Sequence, residues 1–276
     1  LGPGVNLHRH PLCGRNFESF SEDPFLTGQI GAAMINGIES EGIGASPKHF
    51  AVNNQETSRN WNDAIVSERA LRELYFKSFK IIVKESQPWA IMTSYNKING
   101  TYAAENKRLL TDILRDKWGF KGLVMTDWYG GGNSTNIIKS GNDLIEPGTK
   151  NDWEHLKKSA LDGSLPLLNI DESVKRILTL VLKSQKMKNH NFDNNPKLKE
   201  HALVTRKAGS EGIILLKNSN TLPLKNINNI ALFGSTSYEF ISGGTGSGDV
   251  AEAYTISLDE ALEKNGFKIN EIAQQE

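Results

Sequence analysis

Asp127 follows the run Gly122-Leu123-Val124-Met125-Thr126 and precedes Trp128, Tyr129 and three glycines. The run reads as a short buried strand, so the carboxylate would stand at its C-terminal end, where parallel α/β barrels collect their active sites. A carboxylate there can attack an electrophilic carbon; it can equally be a surface acid or the cap of the next helix. Lys48 and His49 close a second run, 44–50, in the same way. Two donors at a strand end suit vicinal hydroxyls or a carboxylate, while a core histidine beside a snorkelling lysine is the plainer reading of that pair alone. Tyr95 and Asn96 end a third run with Met92 inside it, and Arg15 lies in the loop after a first strand. Trp61 and Trp128 could offer stacking faces to a sugar ring or serve as core aromatics.

These residues need a scaffold, and the pattern around them supplies one. Short apolar runs at 4–7, 45–50, 90–95, 123–127 and 143–145 alternate with amphipathic helical patterns, the signature of repeated β-α units on a parallel sheet. Asp23 followed by Pro24 predicts a helix start, with Leu26, Ile30, Ala33, Gly37 and Ile38 on one face until Gly42 stops it. Ser67 caps a second helix whose predicted face is Leu71, Leu74, Ser78, Phe79 and Ile82. Val174, Ile177, Leu178, Val181 and Leu182 give the strongest helical spacing of all.

From 185 to 199 the composition turns to Lys, Asn, His, Asp and Pro, which predicts a linker. The expected organisation is therefore a barrel domain over 1–185, a linker over 186–200 and a second domain over 201–276. That second domain would hold a helix near 201–209, an apolar run at 212–216, a strand at 230–233 and a glycine-rich loop at 243–249. A closed barrel takes eight strands and five are found before the linker, so the missing ones are expected before Leu1.

Lysine plus arginine and aspartate plus glutamate each number 32, giving a formal net charge of zero, and 38% of residues are hydrophobic. The balance argues against nucleic acid or an anionic membrane as partner and suits a neutral substrate. No apolar run approaches the roughly 18 residues of a membrane span. Cys13 is the single cysteine, so it has no internal disulfide partner, and it leaves the compartment open. Oligomeric state is equally open, homo-oligomerisation included. The loop over 243–249 lacks the Lys-Ser/Thr of a phosphate loop, and Gly244-x-Gly246-x-Gly248 has the wrong spacing for a dinucleotide fingerprint. No cofactor or metal is expected. Asn99 and Asn133 begin Asn-x-Ser/Thr sequences, which mean little without a compartment.

Taken in order, several runs resemble glycoside hydrolase family 3. They are Leu12-Cys13-Gly14-Arg15-Asn16-Phe17-Glu18, Ser21-Glu22-Asp23-Pro24, Pro47-Lys48-His49-Phe50-Ala51, Asn53-Asn54-Gln55-Glu56 with Arg59, and Ser67-Glu68-Arg69-Ala70-Leu71-Arg72-Glu73. Met92-Thr93-Ser94-Tyr95-Asn96, Val124-Met125-Thr126-Asp127-Trp128, Gly141-Asn142-Asp143-Leu144 and the 243–249 loop continue the match over nearly the whole chain.

The resemblance implies a (β/α) barrel of the TIM type, N-terminally truncated here, followed by the beginning of an α/β sandwich domain. It implies Asp127 as nucleophile, with Arg15, Lys48, His49, Arg59, Met92, Tyr95 and Trp128 forming the subsite for the non-reducing sugar. Family members also use a sugar-binding aspartate early in the barrel and an acid/base glutamate in the sandwich domain. Neither position falls in this chain, and Glu56, Glu105 and Glu146 do not match the acid/base. A retaining glycosidase needs two carboxyl groups about 5–5.5 Å apart, so the chain alone is expected to be inactive. Arg59 and the Tyr95 hydroxyl are expected to hold the Asp127 pKa low. Family N-acetylglucosaminidases follow Lys-His with Phe-Pro-Gly-His and an Asp-x-His pair; here Phe50-Ala51-Val52-Asn53 follows instead. That departure favours an exo-acting retaining β-glucosidase. The alternatives are a β-xylosidase, a truncated inactive sugar-binding protein and a dinucleotide-binding α/β enzyme, which the loop spacing counts against.

Overall fold

The computed structural model describes residues 1–270; the end of the expected second domain, 271–276, lies outside the described residues. Two compact units divide the chain, Leu1–Asn191 and Phe192–Glu276.

The first unit opens with an extended segment and α1 (Pro24–Ser40). Asp23 accepts the Phe25 N–H at 2.7 Å, and Pro24 takes the first helical position, where no donor is needed. Gly42, at φ 76°, turns the chain out of the helix. β1 (Asp63–Ala64) precedes the second helix, which starts as α2 (Glu68–Ala70) under the Ser67 cap, widens into a π-helical stretch (Leu71–Tyr75) and continues as α3 (Lys77–Glu85). Then come β2 (Ala90–Met92), the hairpin β3 (Lys97–Ile98) and β4 (Thr101–Tyr102), a second π-helical stretch (Arg108–Lys117) and β5 (Leu123–Met125). Three helices close the unit: α4 (Ser134–Lys139), α5 (Lys150–Leu161) and α6 (Leu167–Lys183).

The parallel sheet is built in chain order. Gly4 bridges Lys48, Phe50 bridges Thr93, β2 pairs β5 from Ala90–Leu123 to Met92–Met125, and Met125 bridges Leu144, all in parallel. The five predicted runs are thus five neighbouring parallel segments. This is a mixed α/β domain of the TIM-barrel type, with Phe50 packed among Phe76, Phe79 and Trp118 at ring-centroid distances of 5.9, 4.9 and 5.8 Å.

Three helix faces differ from expectation. On α1 the buried residues are Thr27, Gly28, Gly31, Ala32 and Ile35, while Leu26, Ile30, Ala33 and Gly37 are exposed and Ile38 is half-buried. Close approach decides this: a Cβ on Gly28 would lie 2.9 Å from the Ile81 Cβ, and one on Gly31 would lie 2.9 Å from the Ile82 Cδ1. Small residues make the contact with α3, so the larger apolar ones face away. In the second helix the π-helical stretch adds a residue and shifts the phase, leaving Leu74 partly exposed while Leu71, Phe79 and Ile82 are buried. Along α6, Ile177 and Leu180 pack on the β2–β5 cluster, whereas Val174, Leu178, Val181 and Leu182 are exposed.

Asp143 locks the sheet to its helices. It is fully buried; Oδ2 accepts from Arg115 at 2.7 Å and from the Val124 N–H at 2.8 Å, and Oδ1 accepts from Arg176 at 2.8 Å. The second unit contains α7 (Leu198–Gly212), β6 (Asn229–Ile230), α8 (Leu258–Lys264) and β7 (Lys268–Ile269), with β6 and β7 parallel. The strand predicted at 230–233 forms only at Asn229–Ile230, and Ile213, Ile214, Leu215 and Leu216 are exposed outside any described strand.

Candidate active site

Asp127 stands just beyond the end of β5, and 5% of it is exposed. Oδ1 accepts the Trp128 N–H at 2.8 Å. Oδ2 is buried without a hydrogen-bond partner, and His49 Nε2 lies 3.3 Å from it. Leaving a buried carboxylate oxygen unpaired is costly, so this atom calls for an explanation beyond packing.

The neighbouring segments bring the other predicted residues to the same end. Lys48 and His49 come from the segment paired with Gly4, where the Lys48–His49 peptide bond is cis. Asn6 holds His49 from the adjacent segment, donating to its carbonyl at 3.0 Å and accepting its backbone N–H at 2.9 Å. Arg15 and Lys48 converge on Glu18: Arg15 donates to both carboxylate oxygens at 2.9–3.1 Å, and Lys48 Nζ lies 3.5 Å away. Arg59 pairs with Glu56 at 2.8 Å and lies over the Tyr95 ring, 4.5 Å from its centroid. Val52 follows in a left-handed conformation, φ 65°, which a β-branched residue adopts only when its surroundings force it.

Met92 is buried in the β2–β5 core cluster, whereas Trp128 is half-exposed at the rim of the site. Trp61 is 76% exposed. Of the three carboxylates set aside as acid/base, Glu56 is tied to Arg59 and to the Asn53 amide. Glu105 clamps the loop after Asp127, accepting from the Gly132 and Asn133 N–H groups at 2.6 and 3.0 Å. Glu146 contributes backbone: its carbonyl accepts the Tyr129 N–H. Sequence reasoning gave no role to Glu18 or Asn6. Glu18 could have been found as the acid three residues after Arg15; Asn6 carried no signal.

The electrostatics correct one expectation. Burial pushes the Asp127 pKa above the ordinary carboxylate value, and the Trp128 N–H, the Tyr95 hydroxyl and the charges of Arg15 and Arg59 offset this only in part. Desolvation of a nearly enclosed carboxylate outweighs donors and cations that remain partly in solvent. Burial also drives His49 well below its ordinary value, helped by Arg15, Lys48 and Arg59, so its imidazole is neutral near pH 7. Tyr95 is pushed up to about 12, first by burial and then by the Asp127 charge, and stays a donor. Burial alone would raise Glu18, but Arg15 and Lys48 prevail and hold it below its ordinary value.

The site can therefore present one unpaired carboxylate oxygen, several fixed donors and an aromatic face. Among the described residues no cluster of His, Cys, Asp and Glu could hold a metal ion. A cavity of about 780 Å³ lies elsewhere, lined by Trp89, Arg115, Gly122, Leu123 and Arg176. It opens at the start of β5, the end of a barrel strand that serves stability, and it includes none of the predicted site residues.

Known proteins are similar to this chain in sequence and fold. β-Glucosidase 3B from Thermotoga neapolitana, solved in complex with α-D-glucose, superposes with a TM-score of 0.95 at 45% identity, covering 100% of this chain and 40% of that one. Beta-glucosidase B of Emericella nidulans is 42% identical over 272 residues, 95% of this chain and 32% of that protein. An exo-alpha-(1->6)-L-arabinopyranosidase of Bifidobacterium longum is 38% identical over 281 residues, 97% of this chain and 36% of that protein. The chain thus spans about a third of the length of these curated relatives. Residues 1–180 match the model of the glycosyl hydrolase family 3 N terminal domain, and the chain belongs to that family.

Proposed function

We propose that this chain supplies the nucleophile and the sugar-binding subsite of an exo-acting retaining β-glucosidase that removes terminal non-reducing β-D-glucosyl residues. The observation that carries the reading is Asp127 Oδ2: buried, unpaired, and ringed by Arg15, His49, Arg59 and Tyr95. Oδ2 would attack the anomeric carbon while the glycosidic oxygen departs with a proton from an acid/base carboxyl. Water, deprotonated by that same carboxyl, would then displace Asp127 from the anomeric carbon and restore the starting configuration. Lys48 and His49 would hold ring hydroxyls, Arg59 and Tyr95 would steady the carboxylate, and Trp128 would cover the apolar sugar face. Glu18 would keep Arg15 and Lys48 in place.

Glu18, Glu56 and Glu105 are each committed to a cation or to backbone N–H groups. By its resemblance to family 3 the acid/base is assigned to residues outside these 276, as are the strands that complete an eight-stranded barrel around the five parallel segments. Relatives three times as long fit that division. The arabinopyranosidase relatives favour a second reading, in which the sugar is a pentopyranose; a β-xylosidase belongs to the same class.

The test is turnover of p-nitrophenyl β-D-glucoside, β-D-xyloside and α-L-arabinopyranoside by the protein that carries this chain, with NMR of the first-formed anomer. Preference for the glucoside with β-glucose appearing first is expected. Initial α-glucose, or sugar binding without turnover of any of the three, would overturn the reading.

A further inference from the structure

Asn6 and His49 make three contacts. Asn6 Nδ2 donates to the His49 carbonyl at 3.0 Å, Oδ1 accepts the His49 backbone N–H at 2.9 Å, and the same Oδ1 lies 3.3 Å from His49 Nδ1. The two backbone contacts fix the amide orientation, because a flip would set N–H against N–H and carbonyl against carbonyl. With Oδ1 pinned as an acceptor, its approach to Nδ1 is attractive only when Nδ1 carries the hydrogen. A neutral imidazole has one N–H, so Nε2 then presents a lone pair. That lone pair lies 3.3 Å from Asp127 Oδ2, the buried oxygen without a hydrogen-bond partner. Two acceptors at this distance repel one another, and the contact lacks the geometry of a hydrogen bond.

We propose that Asn6 is a positioning residue that locks His49 in the Nδ1–H tautomer, making His49 Nε2 and Asp127 Oδ2 a coupled pair of facing acceptors that must both be unprotonated before Oδ2 can attack. The last clause rests on the nucleophile reading of Asp127; the tautomer and the pair do not. Charged and titratable groups face the pair from every side: Arg15 and Glu18, Lys48, Glu56 and Arg59, and Tyr95. The three cations and burial oppose an imidazolium, and burial favours a neutral carboxyl, so the first proton the pair takes up resides on Asp127. The low-pH limb of turnover then belongs to the pair rather than to a lone carboxylate.

The experiment uses the full chain labelled with [15N]histidine. Of its six histidines, His49 is identified as the signal missing from His49→Gln. The 15N shifts give the tautomer, and their pH dependence gives the titration of the pair, neither of which requires turnover. Wild type and Asn6→Asp should show protonated Nδ1 and bare Nε2, and the added negative charge in Asn6→Asp should move the titration to higher pH. Asn6→Leu should populate Nε2–H and move the titration to lower pH, because the Nε2–H dipole would then face the ionised carboxylate and stabilise it. In an active protein kcat/KM should fall roughly ten- to a hundredfold with it, the scale of lost positioning. Protonated Nε2 in the wild type overturns the proposal, as does an Asn6→Leu variant with unchanged tautomer and titration. Should Asn6→Leu not fold, wild type and Asn6→Asp decide the matter alone. A protein with the expected tautomer that turns over no glycoside would sink the glycosidase reading and leave the tautomer lock standing.

Discussion

Asp127→Asn exchanges one oxygen for an NH2 group in a site with 5% exposure. Oδ1 keeps the Trp128 N–H at 2.8 Å, while the new Nδ2 places a donor beside His49 Nε2, at the 3.3 Å now separating two acceptors. A repulsive contact is relieved, and a buried charge disappears. An unsatisfied buried polar group costs about 1–3 kcal/mol, so the variant should be more stable by about that amount at pH 7. For a unit the size of Leu1–Asn191, where 1 kcal/mol moves Tm by about 2–4 °C, the rise is roughly 2–12 °C. The pH dependence has a definite sign. The folded-state pKa of Asp127 is raised, so the wild type loses stability as pH climbs through that value and has it in full below the unfolded value near ~3.9. The advantage of asparagine should therefore be present at pH 7 and shrink as pH falls toward 4. Thermal melts of both proteins across this range are the assay. A variant no more stable than wild type at pH 7, or a gain that persists undiminished in acid, would refute the account of a strained carboxylate.

Other features make separate predictions. Asp143→Ala strips Arg115, Arg176 and the Val124 N–H of one buried partner and should cost about 3–5 kcal/mol in urea denaturation; a loss below 1 kcal/mol would show that the site relaxes or takes up water. Gly28→Val drives a side chain into Ile81 and should cost about 1–3 kcal/mol, seen as a lower denaturation midpoint with an unchanged slope. Tyr95 is pushed up to about 12 and stays protonated in any working buffer, so Tyr95→Phe should lower kcat while leaving the midpoint of the high-pH limb unmoved. A shift of that midpoint would make Tyr95 the titrating group.

The sheet was legible because its short apolar runs alternate with helical patterns; all five predicted runs lie in one parallel array. Helix faces were less legible. Apolar spacing marks Leu26 and Ile30, yet α1 docks through Gly28, Gly31 and Ala32, because close approach selects for small side chains that a hydrophobic pattern does not count. A π-helical stretch shifted Leu74 out of phase, and nothing in Leu71–Tyr75 announces an extra residue in the turn. At the site, the residue types that meet the sugar in the proposed mechanism could be picked out at strand ends, but the residues that hold them could not. Glu18, Asn6 and Glu105 act through backbone and through other side chains, at separations set by topology rather than by spacing. The rise in the Asp127 pKa was hidden for a related reason: donors and cations can be read from sequence, whereas depth of burial cannot.

The central claim is that Asp127 becomes covalently bonded to the sugar. The most direct measurement treats the protein that carries this chain with 2,4-dinitrophenyl 2-deoxy-2-fluoro-β-D-glucoside, whose good leaving group needs little protonation and whose fluorine slows hydrolysis of the intermediate. Peptide mass spectrometry then locates the label. The account predicts one fluoroglucosyl group on the peptide containing Asp127, and none in Asp127→Asn. A label on Glu56, Glu105, Glu146 or any other carboxylate, or loss of activity with no covalent adduct, would contradict it.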